Sequence, residues 1–317
     1  MIRVAILDDY QERALQLADW ASLHPRAQIT ALGAHIADPE ALAHRLHAVE
    51  AVVLMRERTP FPASLIERLP NLRLIVTTGM GNRSIDVAAA QARGITVCGT
   101  RLLPSPTAEL AWGLILGLLR HVAGEDRGMR EGRWQRTIGT GVHGKTLGVL
   151  GLGRLGAQVA AVGRVFGMNL IAWSQNLTAE QAAAQGALLV GKDELFAAAD
   201  VLTIHLVLGE RTRGLVGAAE LARMKPSAIL VNTSRGPIVD EAALIAALGE
   251  RRIAGAALDV YDVEPLPAEH KLRRLPNTLL TPHLGYVTEE NYRLGYGDAV
   301  ENIAAFLDGK PIRVIAA

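Results

Sequence analysis

A glycine-rich turn, GLGRLG at residues 151–156, joins a short apolar run to a segment with helical periodicity. Gly151 permits a tight turn, Gly153 lets the backbone approach a pyrophosphate closely, and Gly156 lets the helix pack tightly on the strand. The first turn of such a helix offers unpaired N–H groups and the positive end of the helix dipole to phosphate. Because a second apolar run follows and ends at Trp173, this unit predicts a parallel α/β sheet with a dinucleotide site.

The residues after that second run bear on which dinucleotide binds. Ser174, Gln175 and Asn176 stand where the fingerprint has an Asp or Glu for the adenine ribose. A carboxylate there would bind the ribose hydroxyls and repel a 2′-phosphate, whereas the two amide side chains can donate hydrogen bonds to a phosphate. No arginine follows directly, as a strongly NADP-selective site would require. We therefore expect an NAD(P) site with a slight preference for NADP(H) over NAD(H).

Length and charge limit the number of domains and the kinds of partner. At 317 residues the chain exceeds the ~250–300 residues at which single cores stop growing, so two domains are expected. Its 33 basic and 32 acidic residues give a net charge of +1, which provides no global field for nucleic acid or an anionic membrane. We expect neither of these as a partner.

The sequence predicts neither secretion nor membrane insertion. Asp8 and Asp9 directly follow the first apolar run, whereas a secretory h-region is longer and uncharged. The longest apolar stretch, residues 110–119, is too short for a bilayer, which needs ~20 residues, and predicts a buried helix. The single cysteine, Cys98, cannot form an internal disulfide, which fits the cytoplasmic location that we expect.

Two series of short apolar runs alternate with amphipathic stretches, as in proteins with parallel α/β sheets. The predicted strands are 4–7, 51–55, 74–78 and 96–98 in the first series, and 146–151, 169–173, 201–206, 228–234, 255–260 and 278–283 in the second. Residues 124–145 separate the two series, are rich in Gly and Arg, and are expected to cross the surface or join an interface. The end of the chain predicts an amphipathic helix that stops at Gly309.

Arg235, Glu264 and His283 come at or just beyond the carboxyl ends of three predicted strands, where ligands bind in open α/β sheets. The guanidinium of Arg235 is a permanent cation whose fork matches the carboxylate of an α-keto acid. His283 can pass a proton to or from a carbonyl oxygen, and Glu264 can hold its imidazole in one tautomer and favour its protonated form. Each residue alone fits a surface ion pair or a loop histidine, but together they predict a site for keto-acid chemistry.

Two other kinds of site are not supported. His35, His44 and His47 have no carboxylate or cysteine that would complete a ligand set, so no metal site is predicted. Ser105 and Ser234 have no histidine partner at a recognisable spacing, which argues against a serine hydrolase.

The motifs described above resemble those of the D-isomer-specific 2-hydroxyacid dehydrogenases, a family that includes D-3-phosphoglycerate dehydrogenases and glyoxylate/hydroxypyruvate reductases. The resemblance covers nearly the whole chain, and its segments occur in family order: TTGMGNRSIDVAAAQARGITV (77–97), SPTAELAWGLILGLLR (105–120), GKTLGVLGLGRLG (144–156), MKPSAILVNTSRGPIVDEAAL (224–244), GAALDVYDVEPLP (255–267) and NTLLTPHLGYVT (277–288).

This resemblance implies an α/β fold with two Rossmann-like domains. A doubly wound, NAD(P)-binding domain at residues 101–285 is inserted into a smaller, flavodoxin-like substrate domain made of residues 1–100 and 286–317. The implied reaction is hydride transfer between a nicotinamide cofactor and a small 2-keto acid or D-2-hydroxy acid, and the implied assembly is a homodimer formed through the cofactor domains. A dinucleotide-sensing interaction protein of the corepressor type stays an open alternative, because such proteins keep similar site residues.

Motif positions imply further roles. In the catalytic set, Arg235 binds the substrate while Glu264 and His283 form a His–Glu relay. The implied substrate contacts are Arg56, Met80 and Gly81. The implied cofactor contacts comprise Gly151, Gly153 and Gly156 with Arg154 and Leu155 at the pyrophosphate, Ser174, Gln175 and Asn176 at the ribose, His205 before the loop that borders the adenine pocket, and Thr233 and Asp259 at the nicotinamide.

The sequence departs from the family pattern at two further places. Val207 stands where the family usually has a proline shortly after the histidine, so the family's geometry does not carry over to this loop, which borders the adenine pocket. Asn82 and Arg83 replace a common Asp–Asn pair in the substrate loop, and we expect Arg83 to face solvent, as arginines mostly do.

Overall fold

The computed structural model describes residues 1–317. The chain divides into two compact units, which we name the first unit (residues 1–103 and 287–317) and the second unit (residues 104–286). Each unit is built on one parallel sheet flanked by helices. The predicted fold class, two Rossmann-like α/β domains with one inserted into the other along the chain, is confirmed. The substrate and cofactor roles of the two units stay predictions.

The first unit contains a five-stranded sheet in the order β2-β1-β3-β4-β5, with every neighbouring pair parallel. Its strands are β1 (Ile2–Ile6), β2 (Ala27–Ala31), β3 (Ala51–Leu54), β4 (Leu74–Thr77) and β5 (Thr96–Gly99). Its α-helices are α1 (Pro39–Leu46), α2 (Ala63–Ile66), α3 (Val87–Ala92) and α11 (Glu289–Leu307), and two short 3-10 helices span Ala14–Gln16 and Trp20–Leu23. This is the flavodoxin-like strand order.

The second unit contains a seven-stranded parallel sheet in the order β12-β11-β10-β9-β6-β7-β8. Its strands are β6 (Thr146–Leu150), β7 (Asn169–Trp173), β8 (Leu188–Leu189), β9 (Val201–Ile204), β10 (Ile229–Asn232), β11 (Gly255–Leu258) and β12 (Thr278–Leu280). Its helices are α4 (Ser105–Leu119), α5 (Val122–Arg130), α6 (Arg154–Val165), α7 (Ala179–Ala184), α8 (Lys192–Ala198), α9 (Ala218–Arg223) and α10 (Glu241–Gly249), with 3-10 turns at Gly236–Ile238 and Lys271–Arg274. The strand order reverses between β6 and β9, which is where doubly wound sheets bind ligands.

Helix α4 supplies one side of the core of the second unit. The apolar stretch 110–119 lies within it, and Trp112, Leu114 and Ile115 are buried there. The Trp112 Nε1–H donates a hydrogen bond to the carbonyl oxygen of Val159 in α6, at 3.0 Å. The predicted buried helix is therefore confirmed, and none of the helices combines the length and apolar character that crossing a bilayer would need.

The predicted irregular stretch 124–145 is partly wrong. Helix α5 extends to Arg130, and an ion pair between Asp126 and Arg130 at 3.0 Å links successive turns of it. Residues 131–141 have no regular structure and are exposed, including Trp134 and Ile138, whose exposed fractions are 73% and 96%. The segment that crosses the surface is thus shorter than its composition predicts.

Candidate active site

The glycine turn of the second unit connects β6 to α6. Gly151 has a φ of +102°, and a Cβ built on Gly156 would lie 2.1 Å from the carbonyl oxygen of Gly151. These two positions therefore exclude a side chain, whereas a Cβ on Gly153 would meet no atom within 4 Å. Gly153 is the N-cap of α6 and leaves an open cradle beside the first-turn N–H groups of Arg154 and Leu155. This shape fits the predicted pyrophosphate of a dinucleotide.

The residues predicted at the adenine ribose directly follow β7. Ser174 is half-buried, while Gln175 and Asn176 are exposed. The carbonyl oxygen of Ser174 accepts a hydrogen bond from Leu177 N at 3.1 Å, which closes a turn. All three residues follow β7, the strand that pairs with β6. The N–H of Gly151 donates to the carbonyl oxygen of Trp173 at 2.9 Å, which ties the end of β7 to the glycine turn.

Two buried polar atoms without partners lie at the ends of β9 and β10. They are His205 Nδ1 and Thr233 Oγ1. Burial lowers the pKa of His205 to about 4, so its ring is neutral at physiological pH. A buried polar group without a partner is costly in a folded protein, and bound ligands commonly satisfy such groups. Both atoms therefore fit the predicted dinucleotide contacts.

The predicted relay residues are in hydrogen-bond contact. His283 Nδ1 lies 2.6 Å from Glu264 Oε2, and the other carboxylate oxygen, Oε1, accepts a hydrogen bond from Tyr261 N at 2.9 Å. His283 has a φ of +55°, a left-handed conformation that is uncommon for residues other than glycine. The carboxylate thus joins the loop after β11 to the imidazole that follows β12, and a carboxylate at Nδ1 favours the tautomer whose proton is on Nδ1.

Asp259 holds the loop that carries His283. Its carboxylate is fully buried and accepts hydrogen bonds from Thr281 Oγ1 at 2.6 Å, Leu284 N at 2.7 Å and Gly285 N at 2.8 Å. Its carbonyl oxygen accepts the N–H of His283 at 2.9 Å. Burial raises the pKa of Asp259, although these donors and the nearby His283 act in the opposite direction. The predicted nicotinamide contact is therefore also a support for His283.

Arg235 follows β10 in an extended conformation and is half-buried. Its Nη1 donates a hydrogen bond to the carbonyl oxygen of Ser234 at 2.7 Å, and its own carbonyl oxygen accepts from Asn232 Nδ2 at 2.9 Å. Ser234 is anchored in turn, because its hydroxyl donates to the carbonyl oxygen of Ile204 at 2.8 Å. The loop that carries the guanidinium is thus held by hydrogen bonds to both β9 and β10.

The predicted substrate contacts Arg56, Met80 and Gly81 lie together in the first unit. Arg56 Nη1 donates hydrogen bonds to the carbonyl oxygens of Thr78 at 3.2 Å and Gly81 at 3.4 Å. Met80 is 55% exposed and Gly81 is exposed, while Asn82 is buried and donates to the carbonyl oxygen of Arg56 at 2.7 Å. Arg56 therefore holds the loop of residues 78–82 in place as well as carrying charge.

The side chain of Arg83 is exposed, as its residue type predicts. The loop after β9 presents Val207, which is 70% exposed.

Comparisons with known proteins agree with this arrangement. Residues 112–285 match the family model described as the NAD-binding domain of D-isomer specific 2-hydroxyacid dehydrogenases. Over 256 residues the chain is 41% identical to a glyoxylate reductase of Aeropyrum pernix, which covers 78% of this chain and 76% of that protein. The chain belongs to the D-isomer specific 2-hydroxyacid dehydrogenase family.

Other members of this dehydrogenase family are similarly close. The chain is 40% identical over 269 residues to a D-3-phosphoglycerate dehydrogenase of Synechocystis, covering 82% of this chain but 48% of that protein. It thus spans about half the length of that relative. A phosphoglycerate oxidoreductase from Vibrio cholerae has the same fold, with a TM-score of 0.93, 38% identity and coverage of 98% of this chain and 100% of that one. The family and its nicotinamide-binding domain are therefore confirmed.

Two supporting residues were not predicted from the sequence. Thr203 lies in β9 and its Oγ1 is 2.8 Å from His205 Nε2. Tyr261 joins the loops after β11 and β12, because its hydroxyl lies within hydrogen-bond distance of the carbonyl oxygens of Leu258 and Thr281. The spacing of Thr203 and His205 is a usable signal, since residues i and i+2 of a strand lie on the same face.

Proposed function

We propose that this protein is an NAD(P)-dependent oxidoreductase that reduces a small 2-keto acid to the D-2-hydroxy acid, or catalyses the reverse reaction. Glyoxylate and hydroxypyruvate are the favoured substrates, and a phosphoglycerate-like acid is the next class. The names of relatives such as the Aeropyrum pernix glyoxylate reductase support this substrate class. The observation that carries the proposal is the 2.6 Å pair of His283 and Glu264, in the same unit as the glycine turn.

His283, Glu264 and Arg235 each have a distinct role in the proposed reaction. With Nδ1–H donated to Glu264, the Nε2 of His283 transfers a proton to the carbonyl oxygen during reduction and removes it from the hydroxyl during oxidation. Glu264 stabilises the imidazolium and holds the ring in place. Arg235 binds the carboxylate of the substrate through its guanidinium. The nicotinamide cofactor, when bound, supplies or accepts the hydride.

The finer features are proposals as well. We propose a slight preference for NADPH over NADH, because Ser174 neither binds ribose hydroxyls as a carboxylate would nor repels a 2′-phosphate. The exposed side chains of Trp134 and Ile138 support a homodimer that uses residues 131–141 as an interface. Arg56, Met80 and Gly81 keep their predicted role as substrate contacts.

The test is oxidation of NADPH or NADH, followed by absorbance with a panel of 2-keto acids. We expect His283→Ala to lose turnover by about 100-fold or more, since acid–base catalysis contributes about 10²–10⁴, while cofactor binding persists. His44→Ala is the matched control, because His44 is exposed on α1. Unchanged turnover in the His283 variant would contradict the mechanism, and no oxidation with any acid would favour a dinucleotide sensor of the corepressor type.

A further inference from the structure

Thr203 and His205 lie on one side of β9, next to the glycine turn. Thr203 is fully buried, and the N–H of His205 donates to the carbonyl oxygen of Leu150, the last residue of β6, at 2.8 Å. A Cβ built on Gly151 would lie 2.8 Å from the carbonyl oxygen of His205. His205 therefore borders the turn at the point where the strand order reverses.

Hydrogen-bond satisfaction fixes the tautomer of His205. The contact between Thr203 Oγ1 and His205 Nε2, at 2.8 Å, is the hydrogen bond that each of these side chains makes within the protein. If the hydroxyl donates to Nε2, the ring proton is on Nδ1, and this N–H is the only group left without a partner. The reverse direction would leave two groups unsatisfied, the hydroxyl proton and the Nδ1 lone pair. Each buried unsatisfied group costs about 1–3 kcal/mol, so the Nδ1–H tautomer is favoured.

The neighbouring strand, β10, places a second unsatisfied group at the same carboxyl end of the sheet. In the β9–β10 ladder Ile204 pairs with Asn232, so His205 and Thr233 are the next residues of the two strands. Thr233 Oγ1 is buried without a partner, as is His205 Nδ1. The carboxyl ends of β9 and β10 therefore carry a ring N–H and a hydroxyl, both of which need a polar partner.

On the basis of the proposed cofactor site, we propose that Thr203 is a positioning residue for the dinucleotide. Its hydroxyl holds His205 as the Nδ1–H tautomer, and His205 donates a hydrogen bond to an acceptor oxygen of the bound dinucleotide. The hydroxyl of Thr233 forms a second hydrogen bond to the same ligand. The low pKa of His205, which burial causes, keeps the ring neutral and makes the tautomer decisive.

The tautomer is measured directly by NMR of the imidazole nitrogens, and His205→Gln assigns the His205 signals among the nine histidines. We expect a pyrrole-type Nδ1 and a pyridine-type Nε2 in the free protein, with a change at Nδ1 when NADH is added. A pyridine-type Nδ1, or an Nδ1 signal that NADH leaves unchanged, would overturn the proposal. This measurement needs no substitution at Thr203.

Binding is measured without substrate, by fluorescence titration of NADH, NADPH and ADP-ribose. We expect Thr203→Val, which keeps the shape but removes the hydroxyl, to raise the Kd of NADH about five- to tenfold. Thr203→Ser keeps the hydroxyl and should bind NADH with wild-type affinity. A parallel loss for ADP-ribose places the acceptor oxygen in that part of the ligand, and an unchanged ADP-ribose Kd places it on the nicotinamide part.

The outcomes separate this proposal from the proposed function. Wild-type affinity for all three ligands in Thr203→Val overturns the positioning role alone. A wild-type protein that binds no dinucleotide contradicts the cofactor site itself. If Thr203→Val does not fold, the NMR spectrum of the wild-type protein with and without NADH decides.

Discussion

Replacing Glu264 by glutamine tests the relay more sharply than deleting it, because the two carboxylate oxygens have different partners. One accepts the Nδ1–H of His283 at 2.6 Å and the other accepts the N–H of Tyr261 at 2.9 Å. A glutamine amide has a single oxygen, so it can accept only one of these hydrogen bonds. If the oxygen faces His283, the amide NH2 opposes the N–H of Tyr261. If it faces Tyr261, the NH2 donates to Nδ1 and forces the other imidazole tautomer.

Either arrangement removes a hydrogen bond that involves a charged group, worth about 1.5–3 kcal/mol. If that loss falls on the transition state, kcat decreases about ten- to a hundredfold. Steady-state kinetics with the preferred keto acid and cofactor would measure it, with the Kd of NADH expected to stay at the wild-type value. Glu269→Gln is the matched control, since the Glu269 side chain is 86% exposed and pairs with Arg274 at the surface. A kcat of Glu264→Gln within twofold of wild type would refute this role of the pair.

Further predictions concern the glycine turn and the end of the chain. Gly153→Ala should leave the melting temperature within a few degrees of wild type but weaken cofactor binding at least tenfold. Gly156→Ala should lower the melting temperature itself, because its Cβ would lie 2.1 Å from the Gly151 carbonyl oxygen. Equal effects of the two substitutions in thermal melts would contradict this difference. Burial raises the pKa of Asp298, but hydrogen bonds from Arg101 outweigh it and hold the pKa below its ordinary value. Asp298 therefore stabilises the fold above the ordinary carboxyl pKa, and that stability is lost as pH falls through the folded-state pKa. Asp298→Asn should cost about 2 kcal/mol at neutral pH and little in acid, and a pH-independent difference in denaturant titrations would refute the assignment.

The central strands of both sheets could be predicted because they are continuous apolar runs. Two edge strands could not. The β2 sequence AQITA has only one buried residue, so it lacks the apolar run that marks a buried strand. Strand β8 is only two residues of the short apolar run 187–190, and its Leu188 is exposed. Helix α5 was not predicted because its Gly- and Arg-rich sequence lacks an apolar stripe. Exposed ion pairs such as Asp126–Arg130 stabilise this helix instead.

The candidate site was predictable to the extent that residue type specifies chemistry. His283 and Glu264 are complementary in acid–base function, and their contact followed from the parallel sheet that aligns strand ends. The second role of Asp259 was not predictable, because its three donors come from a loop whose path depends on tertiary structure. Thr203, the hydrogen-bond partner of His205, was not predicted either, because a threonine in an apolar strand is typical of ordinary β-structure.

The central claim is that His283 is the proton donor and acceptor for reduction of a 2-keto acid by a nicotinamide cofactor. It is tested most directly by following NADPH and NADH absorbance with glyoxylate or hydroxypyruvate, in wild-type protein and in His283→Ala. We predict turnover in the wild type with both cofactors, slightly better with NADPH, and a loss of about 100-fold or more in the variant with the cofactor Kd unchanged. Turnover that survives in His283→Ala would contradict the claim, and a hundredfold preference for NADH would contradict the cofactor assignment.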